Sequence, residues 1–434
     1  MGKSKMSVVK AGVLRGLAGL CALAAVAALP GCATYSANFA QVESSAANRD
    51  LDKAVKTLDA LNLTGPDETL HHLNKGVLLR LQGSYAESNK HLEAAKRLME
   101  RLNAISVTEQ VASVTVNDTM KAYEGLPSEQ LMVYSFKALN YLQMGDVDAA
   151  AVEARQFDVK QKLIAARNKD ADYLSGAFVR YLNAMVFEVV GERDAARIEL
   201  EKAAAGYKAQ GSEFSVPSGV RDDLSRIRAG KPVASEVVFI LHNGLGASVD
   251  EDNIRVANPM AGKSGPLMFS LAVPKFVRRS LPVHHVVLSS ASVSSDSEVV
   301  ENVNGIAEKS FNDRLASIIA RGVLRLGVKN AAAQEAKRQM QDNPYSALLN
   351  FAADVATNVS ERADTRTWSL LPGNIQMARL PLPAGRHDVT ATYYGAHGNI
   401  LASREFKGVE VGPGRKTFVA DYFLNPPAAA KAAN

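Results

Sequence analysis

Hydrophobic and polar positions follow two different periods along this chain, and the change of period divides it into two parts. From about residue 48 to 230, apolar residues recur at steps of three and four among Ala, Leu, Glu, Lys and Arg, which predicts successive amphipathic helices. From 235 to 425, short β-branched and aromatic runs between turn residues predict strands. The helical period returns at about 301–361, so we expect a helical insertion there. The predicted class is therefore α+β.

Three segments of the helical part share one layout. In each, a small residue lies seven positions before a turn glycine, and a second small residue follows that glycine by five positions. The three sets are Gly76, Gly83 and Ser88; Ala138, Gly145 and Ala150; and Ala184, Gly191 and Ala196. The layout resembles the tetratricopeptide repeat, in which small residues let two antiparallel helices approach closely. The turn glycines are 62 and 46 residues apart, so extra helical segments are expected between the pairs.

The strand-rich part is expected to fold as a small antiparallel β-sandwich that carries the helical insertion. Val237 to Leu241 form a continuous β-branched and aromatic run, which is typical of a buried strand. Nearer the end of the chain, "GAHGN" and "GPGR" separate alternating segments and indicate hairpin turns. Trp368 is expected to be buried in this half, and residues 426–434 are expected to form a disordered tail.

The first 31 residues have the pattern of an export signal. Four basic residues precede an apolar stretch from Gly16 to Leu29, which is too short to span a bilayer. Leu29-Pro30-Gly31-Cys32 resembles the bacterial lipobox, in which the cysteine is lipidated and the chain is cut before it. We therefore expect a lipid anchor at Cys32, with residues 32–47 as anchor and tether; an ordinary signal cut nearby is the alternative. The residue after Cys32 is not aspartate, which resembles the outer-membrane sorting pattern and predicts an outer-membrane protein facing the periplasm.

The charge balance changes once the signal is set aside. Lys and Arg number 50 against 45 Asp and Glu, but four of the basic residues lie in the predicted signal, so the mature chain is expected to be nearly neutral. This balance gives no support to nucleic-acid binding. The two cysteines are Cys21, in the signal, and Cys32, so the mature chain is expected to contain no internal disulfide.

Two longer segments carry a wider resemblance. "NDTMKAYEGLPSEQLMVYSFKALNYLQMGDVDAAAVEARQF" and "DTRTWSLLPGNIQMARLPLPAGRHDVTATYY" are similar to segments of an uncharacterised family of bacterial lipoproteins with tetratricopeptide-like helices. The resemblance extends over most of the mature chain. It implies the envelope location and the helix-then-strand architecture. Because the family has no established activity, it supplies no catalytic residues for this chain.

No motif predicts an enzyme. Residues 257–264, "ANPMAGKS", match a phosphate-binding loop only in their last three letters, and Gly265-Pro266 follow where a helix should begin. His284 and His285 are expected on opposite faces of a strand, which would prevent both from binding one ion. His242 is expected to be a polar residue at a strand end. We therefore predict no catalytic residue, no metal site, no nucleotide and no cofactor.

The predicted function is that of a non-catalytic, lipid-anchored envelope scaffold or assembly factor that binds a protein partner. The first helices of the repeat-like pairs present an unusually apolar inner face. The predicted partner-binding residues on it are Leu139, Leu142, Tyr181 and Met185. The alternative for this face is a cover supplied by the same chain, such as residues 103–122. The alternative function is an envelope hydrolase or a binder of cell-wall polymer that acts through residues 236–300.

Overall fold

The computed structural model of the protein describes residues 35–105, 118–169, 171–211, 215–257, 268–339 and 362–424. Within these ranges the chain forms ten α-helices and ten β-strands, and the strands make three sheets. This confirms the α+β class. The predicted signal, Cys32 and the predicted tail at 426–434 lie outside the described residues.

The helical half contains nine of the described helices, and six of them pack as successive hairpins. The hairpins are α3 with α4, α5 with α6, and α7 with α8. The nine are α1 (Tyr35–Ala47), α2 (Leu51–Ala60), α3 (Glu68–Leu81), α4 (Tyr85–Ile105), α5 (Pro127–Gln143), α6 (Val147–Arg167), α7 (Ala177–Val189), α8 (Arg193–Ala209) and α9 (Ser218–Arg228).

The predicted turns and small positions of these hairpins are confirmed. Gly83, Gly145 and Gly191 lie at the three turns with φ of 77°, 77° and 84°, a left-handed conformation that favours glycine. Ala150 and Ala196 are fully buried. A Cβ added to Gly76 would lie 2.7 Å from the Leu92 side chain, so α3 and α4 approach closely there.

The tether prediction is wrong for residues 35–47, because they form α1. The apolar positions Phe39, Val42 and Ala46 are spaced by three and four residues, and all three are fully buried in the main core. The helix packs against α2 and against strand β2 (Ser248–Ala257). The described part of the chain therefore starts with a packed helix at Tyr35, three residues after the predicted anchor.

The β half contains two four-stranded sheets and a two-stranded hairpin. The first sheet has the order β10-β1-β7-β6, the second has the order β5-β4-β8-β9, and β2 pairs with β3. The remaining strands are β1 (Glu236–Asn243), β3 (Met268–Val277), β4 (His285–Ser290), β5 (Val293–Asp296), β6 (Glu298–Glu301), β7 (Asn374–Pro381), β8 (Gly385–Tyr394), β9 (Ile400–Val411) and β10 (Lys416–Phe423). The purely antiparallel prediction is wrong at one pair, since β1 and β10 run parallel.

The helical insertion is present in part. Helix α10 (Val303–Gln339) lies between β6 and β7 in the chain and packs against β3. Residues 340–361 of the predicted insertion lie outside the described residues.

The first sheet is the middle of three layers. Every residue of β1 is buried, as its continuous apolar run predicted. Val237 and Phe239 join a core shared with the second sheet, whereas Val238 and Ile240 join a core shared with the helices. Successive side chains of a strand point to opposite faces, so one strand serves both cores.

This layering overturns the predicted partner-binding face. Leu139, Tyr181 and Met185 are fully buried, and Leu142 is partly buried against the same core. The Tyr181 hydroxyl lies 3.2 Å from Arg379 Nη1 on β7. The prediction that these residues bind a separate protein is wrong, because they lie in a core of the same chain that also contains residues of the β half, such as Ile240 and Ile375. The alternative cover that the sequence offered was the segment 103–122, and its residues 106–117 lie outside the described residues.

A buried network of charges holds the two halves together. Lys416 is fully buried and pairs with Glu236, and its Nζ lies 3.4 Å from both Glu188 Oε2 and Asp223 Oδ2. Burial raises the pKa of Asp223, but the charges of Lys416 and Arg379 outweigh it and hold that pKa below its usual value. The network has three cations and three carboxylates, which are Lys416, Arg379, Arg226, Glu188, Asp223 and Glu236.

Trp368 is buried in the second contact between the halves, as predicted. Its side chain is 1% exposed, and its backbone N–H donates to Glu129 Oε1 on α5 over 2.8 Å. The other Glu129 oxygen accepts from the Tyr123 hydroxyl and from the Leu126 N–H. The loop before β7 is therefore fixed to the beginning of α5.

Candidate functional site

A cleft of about 410 Å³ opens between the helical half and the edge of the first sheet. Its walls are the turn between α1 and α2, the end of α3, and the final residues of β10. Ligand sites for small molecules generally measure roughly 300–1,000 Å³, so this volume suits one. Three of the lining residues are arginines, Arg49, Arg80 and Arg404, and one is an aspartate, Asp421.

Arg80 is the buried cation of this cleft. It lies in the last turn of α3, and only 4% of its surface is exposed. Its Nη1 donates to Asn140 Oδ1 on α5, and its guanidinium carbon lies 5.6 Å from the centroid of the Tyr85 ring. Its Nε has no hydrogen-bond partner, and no carboxylate among the described residues forms an ion pair with it. An uncompensated buried charge is costly, since a neutral partner replaces only part of its hydration.

The orientation of Arg80 is fixed by a polar network between the helices. The Asn140 amide donates to Ser88 Oγ and to Asn89 Oδ1, each over 2.8 Å. Ser88 Oγ donates in turn to the Gly76 carbonyl over 2.6 Å. The network leaves Asn140 Oδ1 free to accept from the guanidinium, so Arg80 is held at the cleft before any ligand arrives.

The other two arginines share a single carboxylate. Arg404 on β9 pairs with Asp421 and donates to the Tyr422 carbonyl over 2.9 Å. Arg49 has a left-handed φ of 60°, donates to the same carbonyl over 3.0 Å, and lies 3.5 Å from Asp421 Oδ1. Since β10 is an edge strand among the described strands, these bonds also satisfy a backbone carbonyl that no described neighbouring strand pairs with. The cleft is left with more positive than negative charge.

His242 lies beside the cleft but cannot serve it as a base. It is fully buried, and its ring stacks on Tyr422 with centroids 4.4 Å apart. Burial lowers the pKa of His242 well below its usual value, and the charge of Arg80 lowers it further. The imidazole is therefore neutral at physiological pH and closed off from solvent.

The other histidines predicted from the sequence lie elsewhere. His284 precedes β4 rather than lying in it, and its Nδ1 is 3.2 Å from His285 Nδ1. The expectation that the two rings point to opposite faces is wrong, because alternation holds only inside a strand. Within the described ranges, no group of three His, Cys, Asp or Glu side chains could hold a metal ion. Residues 258–264 of the loop with the GKS letters lie outside those ranges.

A smaller cavity of about 40 Å³ lies between α5, α7 and the start of α10. Its lining includes Glu129, Glu301 and Trp368. Burial raises the pKa of Glu301 to about 8, although a hydrogen bond from the Phe178 backbone opposes the shift. The volume corresponds to only a few water molecules, so the larger cleft is the better candidate site.

Comparison of the chain with models of protein families, with curated proteins and with solved structures finds no match. Among the helices that the structure describes, none combines the length and the apolar composition needed to cross a membrane. The resemblance to envelope lipoproteins therefore stays a prediction.

Most of this site has no signal in the sequence. Arg80 was visible as a charged residue among the inner-face positions of α3, where its neighbours are apolar. Arg49 and Arg404 belong to no motif and are separated by hundreds of residues. Only the packing of the β half on the helices brings them together.

Proposed function

We propose that the protein is a lipid-anchored, non-catalytic scaffold of the bacterial envelope that holds an anionic group of an envelope component in the arginine cleft. The observation that carries this proposal is Arg80, a buried guanidinium without a carboxylate partner among the described residues. A bound anion would supply the missing charge. Arginine suits carboxylates and phosphates because its planar fork of N–H donors matches their oxygens.

The non-catalytic part of the proposal is supported by what faces the cleft. Its ionisable side chains are arginines, tyrosines and one aspartate that is already paired with Arg404. The nearby histidine, His242, is fully buried and neutral. A hydrolase needs a base with a nucleophile or a bound water within hydrogen-bond reach of the substrate. This arrangement favours binding over hydrolysis.

The anchoring part of the proposal gains a geometric consequence from α1. Tyr35 is the first residue of a packed helix, and it follows Cys32 by three residues. Three residues span at most about 10 Å. If Cys32 carries acyl chains, the folded body is held directly against the membrane surface.

The hairpins of the helical half support a tetratricopeptide-like architecture, which we propose rather than assign.

A protein partner remains a second candidate function, but on a different face. On α6 the side chains of Val152, Val159 and Leu163 are 46%, 62% and 55% exposed, and their spacing places them on one side of the helix. Such an exposed apolar stripe is a typical feature of protein contact surfaces.

The proposal is tested by the effect of anions on unfolding. At low millimolar concentration, where the general stabilisation of proteins by excluded sulfate or phosphate is small, these anions should raise the midpoint of thermal unfolding more than chloride does at equal ionic strength, because an anion that binds the native state stabilises it. Arg80→Met should remove most of this difference. Arg97→Met is the matched control, since Arg97 is 76% exposed on α4 and lies outside the cleft. An equal response of the Arg80 variant and the wild type would refute the proposal.

A further inference from the structure

We propose that the ligand of the arginine cleft is a phosphate monoester, bound as its dianion, whose ester carries an apolar group. The inference rests on the proposed anion site and specifies its ligand. It comes from the charge of the cleft and from the distribution of its polar and apolar walls.

The charge of the cleft matches a double negative charge. Three guanidinium groups line it, and Asp421 is the one carboxylate among the lining residues that the structure describes. Asp421 pairs directly with Arg404, whereas Arg49 Nη2 lies 3.5 Å from it and Arg80 has no ion pair among the described residues. About two positive charges are therefore left over. A phosphate monoester carries about −1.5 to −2 at pH 7, whereas a phosphodiester or a monocarboxylate carries −1 and would leave a cation unmatched.

The remaining walls suit an apolar substituent. Leu51, Leu81 and Leu424 line the cleft together with the Tyr85 ring. Tyr85 is itself stacked under the Arg80 guanidinium, so the aromatic face and the cation lie at the same place. An anion bound at Arg80 would direct its ester group along these side chains. The ligand could come from the headgroup of a lipid or from a soluble monoester, since both present the same chemistry.

Calorimetric titration of the full mature chain with a series of small anions tests this inference. The probes are phenyl phosphate, ethyl phenyl phosphate, benzoate and inorganic phosphate. We expect phenyl phosphate to bind at least about tenfold more tightly than the diester or benzoate, because only the monoester matches the second positive charge. We also expect it to bind more tightly than inorganic phosphate, which lacks the apolar group.

The pH dependence gives an independent readout. The second ionisation of a monoester lies near pH 6, so its affinity should rise between pH 5 and 7.5. The diester has no such ionisation and should show a flat profile. Because both probes meet the same protein groups, the diester is the control for any titration of Asp421, Tyr85, Tyr422 or His242.

Two variants place the effect at the cleft. Arg80→Met and Arg49→Met should each weaken phenyl phosphate binding about tenfold or more, and Arg97→Met should leave it unchanged. Arg49 is 59% exposed on its side chain, so its variant still tests the site if Arg80→Met does not fold. Binding of the protein to vesicles that contain phosphatidic acid is then compared with its binding to vesicles of phosphatidylglycerol. This comparison distinguishes a lipid headgroup from a soluble monoester as the source of the ligand.

The outcomes separate the two proposals. Equal affinity for phenyl phosphate, its diester and benzoate, all lost in Arg80→Met, would overturn the monoester inference and leave the anion site standing. Absence of binding by every anion, or binding that both cleft variants retain, would overturn the anion site and the inference together.

Discussion

Replacing Lys416 by methionine should expose how strongly the two halves depend on their shared charge network. Lys416 is fully buried and faces three carboxylates, those of Glu188, Asp223 and Glu236. Methionine has a similar length but no charge, so the variant leaves three buried carboxylates with only Arg226 and Arg379. Removing one partner from a buried ion pair costs about 3–5 kcal/mol, because the remaining charge is left uncompensated.

A loss of this size should be easy to measure. Folded domains are stable by about 5–15 kcal/mol, so urea unfolding of the variant should show a midpoint far below that of the wild type. The thermal midpoint should fall by about 4–6 °C, since the entropy of unfolding scales with chain length. Lys90→Met is the control, since Lys90 is 72% exposed in an ion pair with Glu87 and should change stability by less than about 0.5 kcal/mol. A loss below about 1 kcal/mol for Lys416→Met would refute the network as the main link between the halves.

Three further changes test separate parts of the structure. Because the pKa of Glu301 is raised, the native state holds a proton that the unfolded state releases, so wild-type stability should fall as pH rises from about 4.5 to 8. For the wild type this loss of unfolding free energy should be on the order of 4 kcal/mol, and it should be absent from urea unfolding of Glu301→Gln across the same pH range. If the stabilities of both proteins depended on pH in the same way, the raised pKa of Glu301 would be contradicted. Ala150→Arg should lower the free energy of unfolding in urea by about 3 kcal/mol or more, because it overpacks a fully buried site. The control Ala166→Arg, on an exposed face of α6, should leave that free energy unchanged. Equal stability of the two variants would place Ala150 outside the core. Cys32→Ser should abolish labelling by radioactive fatty acid, and labelling that persists would rule out the anchor.

The sequence indicates the helices, turns and strands better than it indicates how the two halves of the chain pack on each other. The turn at Gly145, the burial of Ala150 and the buried strand at 237–241 follow from local patterns, and the structure confirms them. The apolar inner face of the helices was also visible. The packing of the β half on this face could not be predicted, because contacts such as that between Tyr181 and Arg379 join residues that are 198 positions apart.

Two errors have a definite physical cause. Residues 35–47 were expected to be a tether because small and polar residues dominate them, yet three apolar positions at helical spacing are enough to pack α1 into the core. The parallel pairing of β1 with β10 joins the first and last strands of the β half, and no turn between neighbouring strands reports such a pairing. The cleft depends on both features, since its walls include the end of α1 and the end of β10.

The most direct test of the central claim is a crystal structure of the mature chain with selenate, a tetrahedral dianion whose anomalous scattering identifies it. We expect a selenate peak in the cleft, within hydrogen-bond distance of a guanidinium nitrogen of Arg80, and no peak there in Arg80→Met crystals. A cleft without anomalous density at millimolar selenate, or a peak that remains in the variant, would contradict it.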